Sequence, residues 1–182
     1  MLVAGLMSAC STPPKEEMEK AHDAVIRAEN DADAVNFASN TIIRAREALA
    51  RMEEEAGAKR YEAAKTYAAE AVTLAERAIA EGKTGLSRAR NEAENLLNSL
   101  VIPLAETSNS LDAAWRTENL RLNFAALEAD MVAANKTYGD ARQSLGNDRY
   151  REAISQGQTV RSLLAGINSA LTEGVQAVAR KQ

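Results

Sequence analysis

Small residues recur with alternating spacings of three and four along Tyr61, Ala64, Ala68, Ala71, Ala75, Ala78, Gly82, Gly85 and Ala89. That spacing is the heptad stripe of a helix lying along another helix. With Ala or Gly at nearly every contact position, two backbones can approach closely. A stripe with the same spacing begins 89 residues later, at Tyr150, Ala153, Gly157, Val160, Leu164, Ile167, Leu171, Gly174 and Val178, and reads as the partner seam. The chain is therefore expected to be all-α, built on long helices that pack on other long helices.

The rest of the chain fits that plan. From Lys15 one helical face carries Met18, Ala21, Val25, Ala28, Ala32 and Val35, and Glu16, Glu17 and Glu19 sit where a helix N-terminus favours negative charge. The seam continues through Ala38, Ile42, Ala45, Leu49, Met52 and Ala56; Asn36, Ser39 and Asn40 leave open whether the helix runs through Phe37 or breaks there. Gly57 is predicted to cap this element, Gly82 and Gly85 to kink or loosen the second helix, and Pro103 to stop it. A third helix is predicted over roughly 105–145, with Leu120, Phe124, Leu127, Met131, Ala134, Tyr138, Ala141 and Leu145 on its seam. Gly146 turns the chain, Asn147 is a candidate N-cap, and a last helix is predicted from about Asp148 to Arg180.

The two halves align without a gap at the offset of 89. Pro14 falls on Pro103 and Gly57 on Gly146; Glu17, Asp23, Ala24, Arg27, Glu29 and Asn30 match Glu106, Asp112, Ala113, Arg116, Glu118 and Asn119. Arg60-Tyr61-x-x-Ala64 matches Arg149-Tyr150-x-x-Ala153. Agreement of breakers and turn motifs in one register marks a tandem repeat of helical hairpins. The expected architecture is an elongated up-down bundle of four long antiparallel helices, with repeat 1 over 15–102 and repeat 2 over 103–182. An open solenoid of helical pairs is the competing architecture, but the segments are long for such units and no shorter period is present.

Residues 1–10 form an apolar run ending in Met7-Ser8-Ala9-Cys10, with the only cysteine last, and Ser11-Thr12-Pro13-Pro14 follows as a polar, Pro-containing tether. The run is too short to span a bilayer. It resembles the end of a bacterial lipoprotein signal peptide, in which Cys10 would be lipidated and become the mature N-terminus. Met7 stands where Leu is usual, and the basic n-region is absent. Ser11 resembles sorting to the outer membrane. The competing reading is a frayed apolar terminus on a cytosolic coiled-coil adaptor with one incidental thiol.

A family resemblance extends from Ala24-x-x-Arg27-Ala28-x-x-x-Ala32 through Ala45-Arg46-x-Ala48-Leu49 to Arg60-Tyr61-x-x-Ala64-x-x-x-Ala68-x-x-Ala71. This run resembles an Ala-rich helical domain of unknown function found in envelope lipoproteins of Gram-negative bacteria and spirochaetes. The resemblance implies a helical fold and an envelope address, and brings no catalytic residues with it. The family usually shows Gly-Ala and Tyr-Ala-Pro at the first break, where this chain has Asp33-Ala34 and Phe37-Ala38-Ser39.

Composition narrows the function further. A net charge of -4, with charges interspersed along the helices, argues against nucleic acid as a partner and provides no polybasic patch for anionic lipid. His22 is the only histidine and has no Cys partner for zinc. Glu53-Glu54-Glu55 reads as a solvated face, and no Gly-rich phosphate loop, Gly-x-Ser-x-Gly elbow or His-Glu-x-x-His is present. No catalytic residue, metal or cofactor is expected. Any ligand groove is expected in the second hairpin, near the bulkier Trp115, Phe124, Tyr138 and Tyr150, though core filling is the favoured role for these residues. Arg27 with Asn30, and Arg116 with Asn119, are three apart on one face and mark a candidate paired polar layer or a symmetric binding edge.

The resulting expectation is a scaffold or interaction protein of the outer membrane, held through Cys10 and touching an envelope protein or a second copy of itself. The alternative is a periplasmic or surface carrier that binds a small apolar ligand in the second hairpin.

Overall fold

The computed structural model describes residues 12–117 and 120–180. Six helices follow one another: α1 (Lys15–Asn30), α2 (Ala32–Phe37), α3 (Ser39–Gly57), α4 (Tyr61–Trp115), α5 (Phe124–Gly146) and α6 (Tyr150–Ala179). No strand occurs among the described residues, so the all-α bundle class stands. The chain divides into two compact units, Met1–Leu86 and Ser87–Gln182, and the division falls inside α4.

Unit 1 holds α1, α2, α3 and α4 as far as Leu86. Glu29 pairs with Arg46, and His22 Nε2 lies 3.2 Å from Glu53 Oε1. Those two pairings run in opposite directions along the chain, so α1 and α3 are antiparallel, and α2 is the corner between them. The corner has a local cause. Asp31 adopts an extended backbone (φ -80, ψ 112), and its Oδ1 accepts the Ala34 N–H at 2.8 Å, capping α2. A second break falls at Ala38 (φ -133, ψ 28). The helix is therefore interrupted twice, at Asp31 and Ala38. Breaking at Asp31 resets the helical phase, which is why Ala34 and Ala38 are buried while Ala32 and Val35, expected on the seam, are exposed.

Helix α3 folds back onto α4, and buried Thr41 on α3 donates its hydroxyl to Glu81 Oε2 at 2.6 Å. That bond comes first among the influences that hold the Glu81 carboxyl below its ordinary range; the hydrogen bond from Arg77 and the nearby positive charge of Arg77 and Arg44 add to it, against opposing burial. The core is thin and made of alanine, with Met52 and Val25 its largest fully buried side chains. One buried methyl contributes about 0.8 kcal/mol, so closeness of approach matters more than bulk. Gly82 supplies it. A Cβ there would lie 2.4 Å from Ala34 N and 2.6 Å from Asp33 C, and one at Gly85 would lie 2.4 Å from Phe37 Cβ. Neither glycine interrupts α4. They are seats for the corner.

Unit 2 is built from three helices, α4 after Leu86, α5 and α6. Gly157 on α6 receives Leu96 and Leu97 of α4, and Asn168 Nδ2 donates to Thr107 Oγ1 at 2.9 Å, so these helices run parallel. Between them α5 runs the other way, with Tyr138 OH donating to the Leu97 carbonyl at 3.3 Å. Leu97, Val160 and Ile167 are fully buried. Ala64, Ala68, Ala71, Ala75 and Ala78 of the first stripe are buried in unit 1, and the second stripe, from Tyr150 to Gly174, is buried in unit 2.

Pro103 does not stop the helix; it lies within α4. Proline there deletes one backbone hydrogen bond and crowds the carbonyl four residues back, a cost of about 3 kcal/mol or more. Buried Leu100, Leu104, Thr107 and Leu111 on the same helix offset that cost. The helix predicted over 105–145 is instead divided, because α4 ends at Trp115 and Asn123 starts a new helix by accepting the Ala126 N–H at 3.2 Å. The offset of 89 explains Pro103, since its counterpart Pro14 stands immediately before α1. In the second repeat the equivalent helix is entered from a helix already under way.

The turns after α3 and α5 are copies of each other. Arg60 N–H bonds the Glu55 carbonyl at 2.9 Å and Arg149 N–H bonds the Ser144 carbonyl at 2.9 Å, closing each helix with a Schellman motif. The left-handed residue is Lys59 in one (φ 60) and Asp148 in the other (φ 59). Gly57 and Gly146 are the last helical residues, not the caps, and Asn147 is the C-cap of α5, not the N-cap of α6. A left-handed lysine costs roughly 1 kcal/mol more than glycine would. Lys59→Gly is accordingly expected to raise stability by about 0.5–1 kcal/mol, read as a higher urea midpoint with an unchanged slope.

Candidate functional site

A groove lies in unit 2 between the C-terminal parts of α4 and α6. The groove has a volume of about 680 Å³. Ser110, Ala113, Ala114 and Thr117 form the α4 wall, a set spaced to share one helix face. Asn168, Leu171, Thr172, Val175 and Gln176 form the α6 wall, and Leu120 closes one side. The bond from Asn168 to Thr107 ties the helices together at its base. Beyond that bond the α4 side chains are too small to fill the space, and Val175 remains 57% exposed.

Comparison of the two repeats explains why the groove is there. The counterparts of Ser110, Ala113, Ala114 and Thr117 in unit 1 are Ala21, Ala24, Val25 and Ala28, and all four are buried, at 0–2% exposure. Gly82, which lets the Asp33-Ala34 backbone close over that face, corresponds to Leu171. A leucine side chain cannot admit backbone at that distance. In unit 2 the connection instead rests on Gly174, whose missing Cβ would lie 2.8 Å from Leu122 Cδ2. The connection is displaced by about one helical turn, and the face it would have covered stays open.

Of the four aromatic residues expected near a groove, none lines it. Trp115 and Phe124 do meet, edge to face at 5.0 Å between ring centres and 78° between planes, with Trp115 61% exposed. Tyr138 braces α5 on α4 through the Leu97 carbonyl. Tyr150 is buried, its hydroxyl donating to Asp148 Oδ1 at 2.5 Å. That hydrogen bond, then burial and the Asp148 charge, hold the phenol above its ordinary range. These two tyrosines are structural.

Residues 16–94 match the family model of a domain of unknown function, DUF4398. The match covers α1, α2, α3 and α4 as far as Glu94, somewhat less than half of the chain. No curated protein and no solved structure matches the chain. The groove lies outside the DUF4398-like segment.

Of the polar residues singled out by the duplication, the three that are described are exposed. Arg27 and Asn30 are exposed on the last turn of α1, and Arg116 is exposed just past the end of α4. Asn119 and Cys10 lie outside the described residues. Among the described residues no cluster of three His, Cys, Asp or Glu is arranged to hold a metal ion, and no helix is long and apolar enough to cross a membrane.

Sequence reasoning looked for bulk and so passed over a groove made by its lack. The signal that marks it is where the repeats disagree. Ala21 becomes Ser110, Ala28 becomes Thr117, Ile79 becomes Asn168 and Gly82 becomes Leu171, so a face that is apolar and shut in one copy gains hydrogen-bonding groups in the other.

Proposed function

We propose that the protein is a lipid-anchored interaction module of a bacterial envelope, held at the outer membrane through Cys10, with unit 1 as a close-packed support and unit 2 as the binding half. It acts by holding and presenting, without catalysis. The anchor reading is supported by the Met7-Ser8-Ala9-Cys10 run and the Ser11-Thr12-Pro13-Pro14 tether that leads into α1, because acyl chains at Cys10 would supply about 0.8 kcal/mol of membrane attachment per buried CH₂. The observation that carries the division of labour is the contrast between the shut, alanine-rich face of unit 1 and the open equivalent face of unit 2. The groove also favours a second reading, a carrier for a small ligand, over a purely mechanical spacer.

The anchor is tested by expressing the full upstream reading frame in a Gram-negative host with labelled fatty acid, beside Cys10→Ala. The wild-type protein is expected to carry label and to fractionate with the outer membrane, and the variant to lose both. A wild-type protein that is unlabelled and soluble would overturn the envelope reading. Crosslinking the anchored form then identifies what it touches.

A further inference from the structure

We infer that the groove between α4 and α6 is a binding site for an uncharged, elongated small molecule with an apolar body and hydrogen-bonding groups towards both ends. This inference rests on the reading of unit 2 as the binding half and names the ligand chemistry of that half. At about 680 Å³ the groove is of small-molecule size. It is not a flat face, since the Asn168–Thr107 bond and Leu171 close its base.

Its walls dictate what fits. The centre is apolar, from Ala113, Ala114, Leu171 and Val175, while amides stand at the two ends of the α6 wall, at Asn168 and Gln176. Eight residues along a helix separate these amides by about 12 Å, which sets the length of the ligand. Asn168 Nδ2 is engaged with Thr107, leaving Oδ1 as an acceptor; Gln176 Oε1 is engaged with Arg180 at 3.3 Å, leaving Nε2 as a donor. A ligand with a donor at the Asn168 end and an acceptor at the Gln176 end satisfies both.

Charge is excluded on energetic grounds. Among the described residues no Asp, Glu, Lys or Arg lines the groove, in a chain that is 26% charged. An ionised ligand would give up hydration there without gaining a counterion from the walls. Arg180, hydrogen-bonded to Gln176 Oε1, stands at the rim and is not part of the groove walls. The duplication adds an independent argument. The α1 counterparts of these four α4 positions are covered in unit 1 by the protein itself, so the face belongs to a surface that this fold buries, and in unit 2 the cover comes from outside.

The test uses the purified chain and N-phenyl-1-naphthylamine, a neutral apolar fluorophore, beside the anionic anilinonaphthalene sulfonate of similar size. Trp115, the only tryptophan, follows Ala114 of the groove wall in sequence and serves as an internal energy-transfer donor. The neutral probe is expected to bind saturably, one per chain, with quenching of Trp115, and at least about tenfold more tightly than the anion. Filling the groove from either side, with Ala113→Leu or Thr172→Leu, is expected to weaken binding about tenfold or more. Both residues are exposed, so helicity by circular dichroism should be unchanged. Lys83→Leu, at the unit 1 position equivalent to Thr172, should bind as the wild type does. The absence of saturable binding, equal binding of the anion, or wild-type binding by both filled variants would overturn the inference. If the probe fails while crosslinks to an envelope partner still map to unit 2, only the ligand chemistry is wrong; if both fail, so is the assignment of unit 2 as the binding half.

Discussion

Replacing Gly82 with alanine is expected to destabilise unit 1 by about 2–3 kcal/mol, near the upper end of what overpacking ordinarily costs. The new Cβ would sit 2.4 Å from Ala34 N and 2.7 Å from Ala34 Cα. Backbone, unlike the tip of a long side chain, cannot swing away, so the α2 corner must lift from α4. Helix propensity pushes the other way, because alanine for glycine inside a helix gains about 1 kcal/mol. The sign of the result therefore decides which effect wins. Gly139→Ala is the control, since nothing lies within 4 Å of the position its Cβ would take, and it should stabilise by up to about 1 kcal/mol. Urea unfolding followed by circular dichroism compares the two. If Gly82→Ala proved as stable as Gly139→Ala, the corner would not be seated on Gly82.

Leu97→Ala is expected to cost unit 2 about 2–5 kcal/mol, as large-to-small changes in a packed core do. Leu97 is fully buried, lies against Gly157, and offers its carbonyl to the Tyr138 hydroxyl. Glycine on the facing helix has no side chain with which to refill the space. Leu97→Met, which nearly conserves volume, should cost less than about 1.5 kcal/mol. Trp115 fluorescence reports the transition in the unit that contains Leu97, and a midpoint unmoved by Leu97→Ala would show that α4 and α6 are not packed through this residue.

The sequence made some of this legible and concealed the rest, for physical reasons that differ by residue. Heptad spacing identified the buried faces of α4 and α6 almost residue by residue, because a continuous helix keeps its phase: Ala64, Ala68, Ala71, Ala75 and Ala78 are buried, as are Ala153, Val160, Leu164 and Ile167. Phase was lost at Asp31, where one capping carboxylate outweighs a run of good helix formers, and the seam positions expected just beyond it were wrong. Pro103 misled because the intrinsic cost of proline is visible in sequence, whereas the buried neighbours that offset it are not. The duplicated Gly57 and Gly146 correctly marked where helices end, but the left-handed positions fell on Lys59 and Asp148, residues with no intrinsic preference strong enough to announce the turn. As for the groove, Trp115 and Phe124 drew notice to the right end of unit 2. Its walls went unseen, since small polar residues on a helix look like ordinary surface until the other repeat shows that the face is one the fold can bury.

The exchange of Gly82 for Leu171 has a consequence for how such a chain can change over time. A residue in the shut face of unit 1 answers to its neighbours: any enlargement of Ala21 or Ala28 collides with packed backbone and side chains, so drift there is curbed by folding alone. Once a leucine holds the connection away, Ser110, Ala113 and Thr117 no longer answer to the core. They are free to vary with whatever enters the gap, while the first copy continues to supply a stable fold. A duplication whose copies differ as Gly82 and Leu171 do thus divides a single helical scaffold into a part that is constrained and a part that can learn new chemistry.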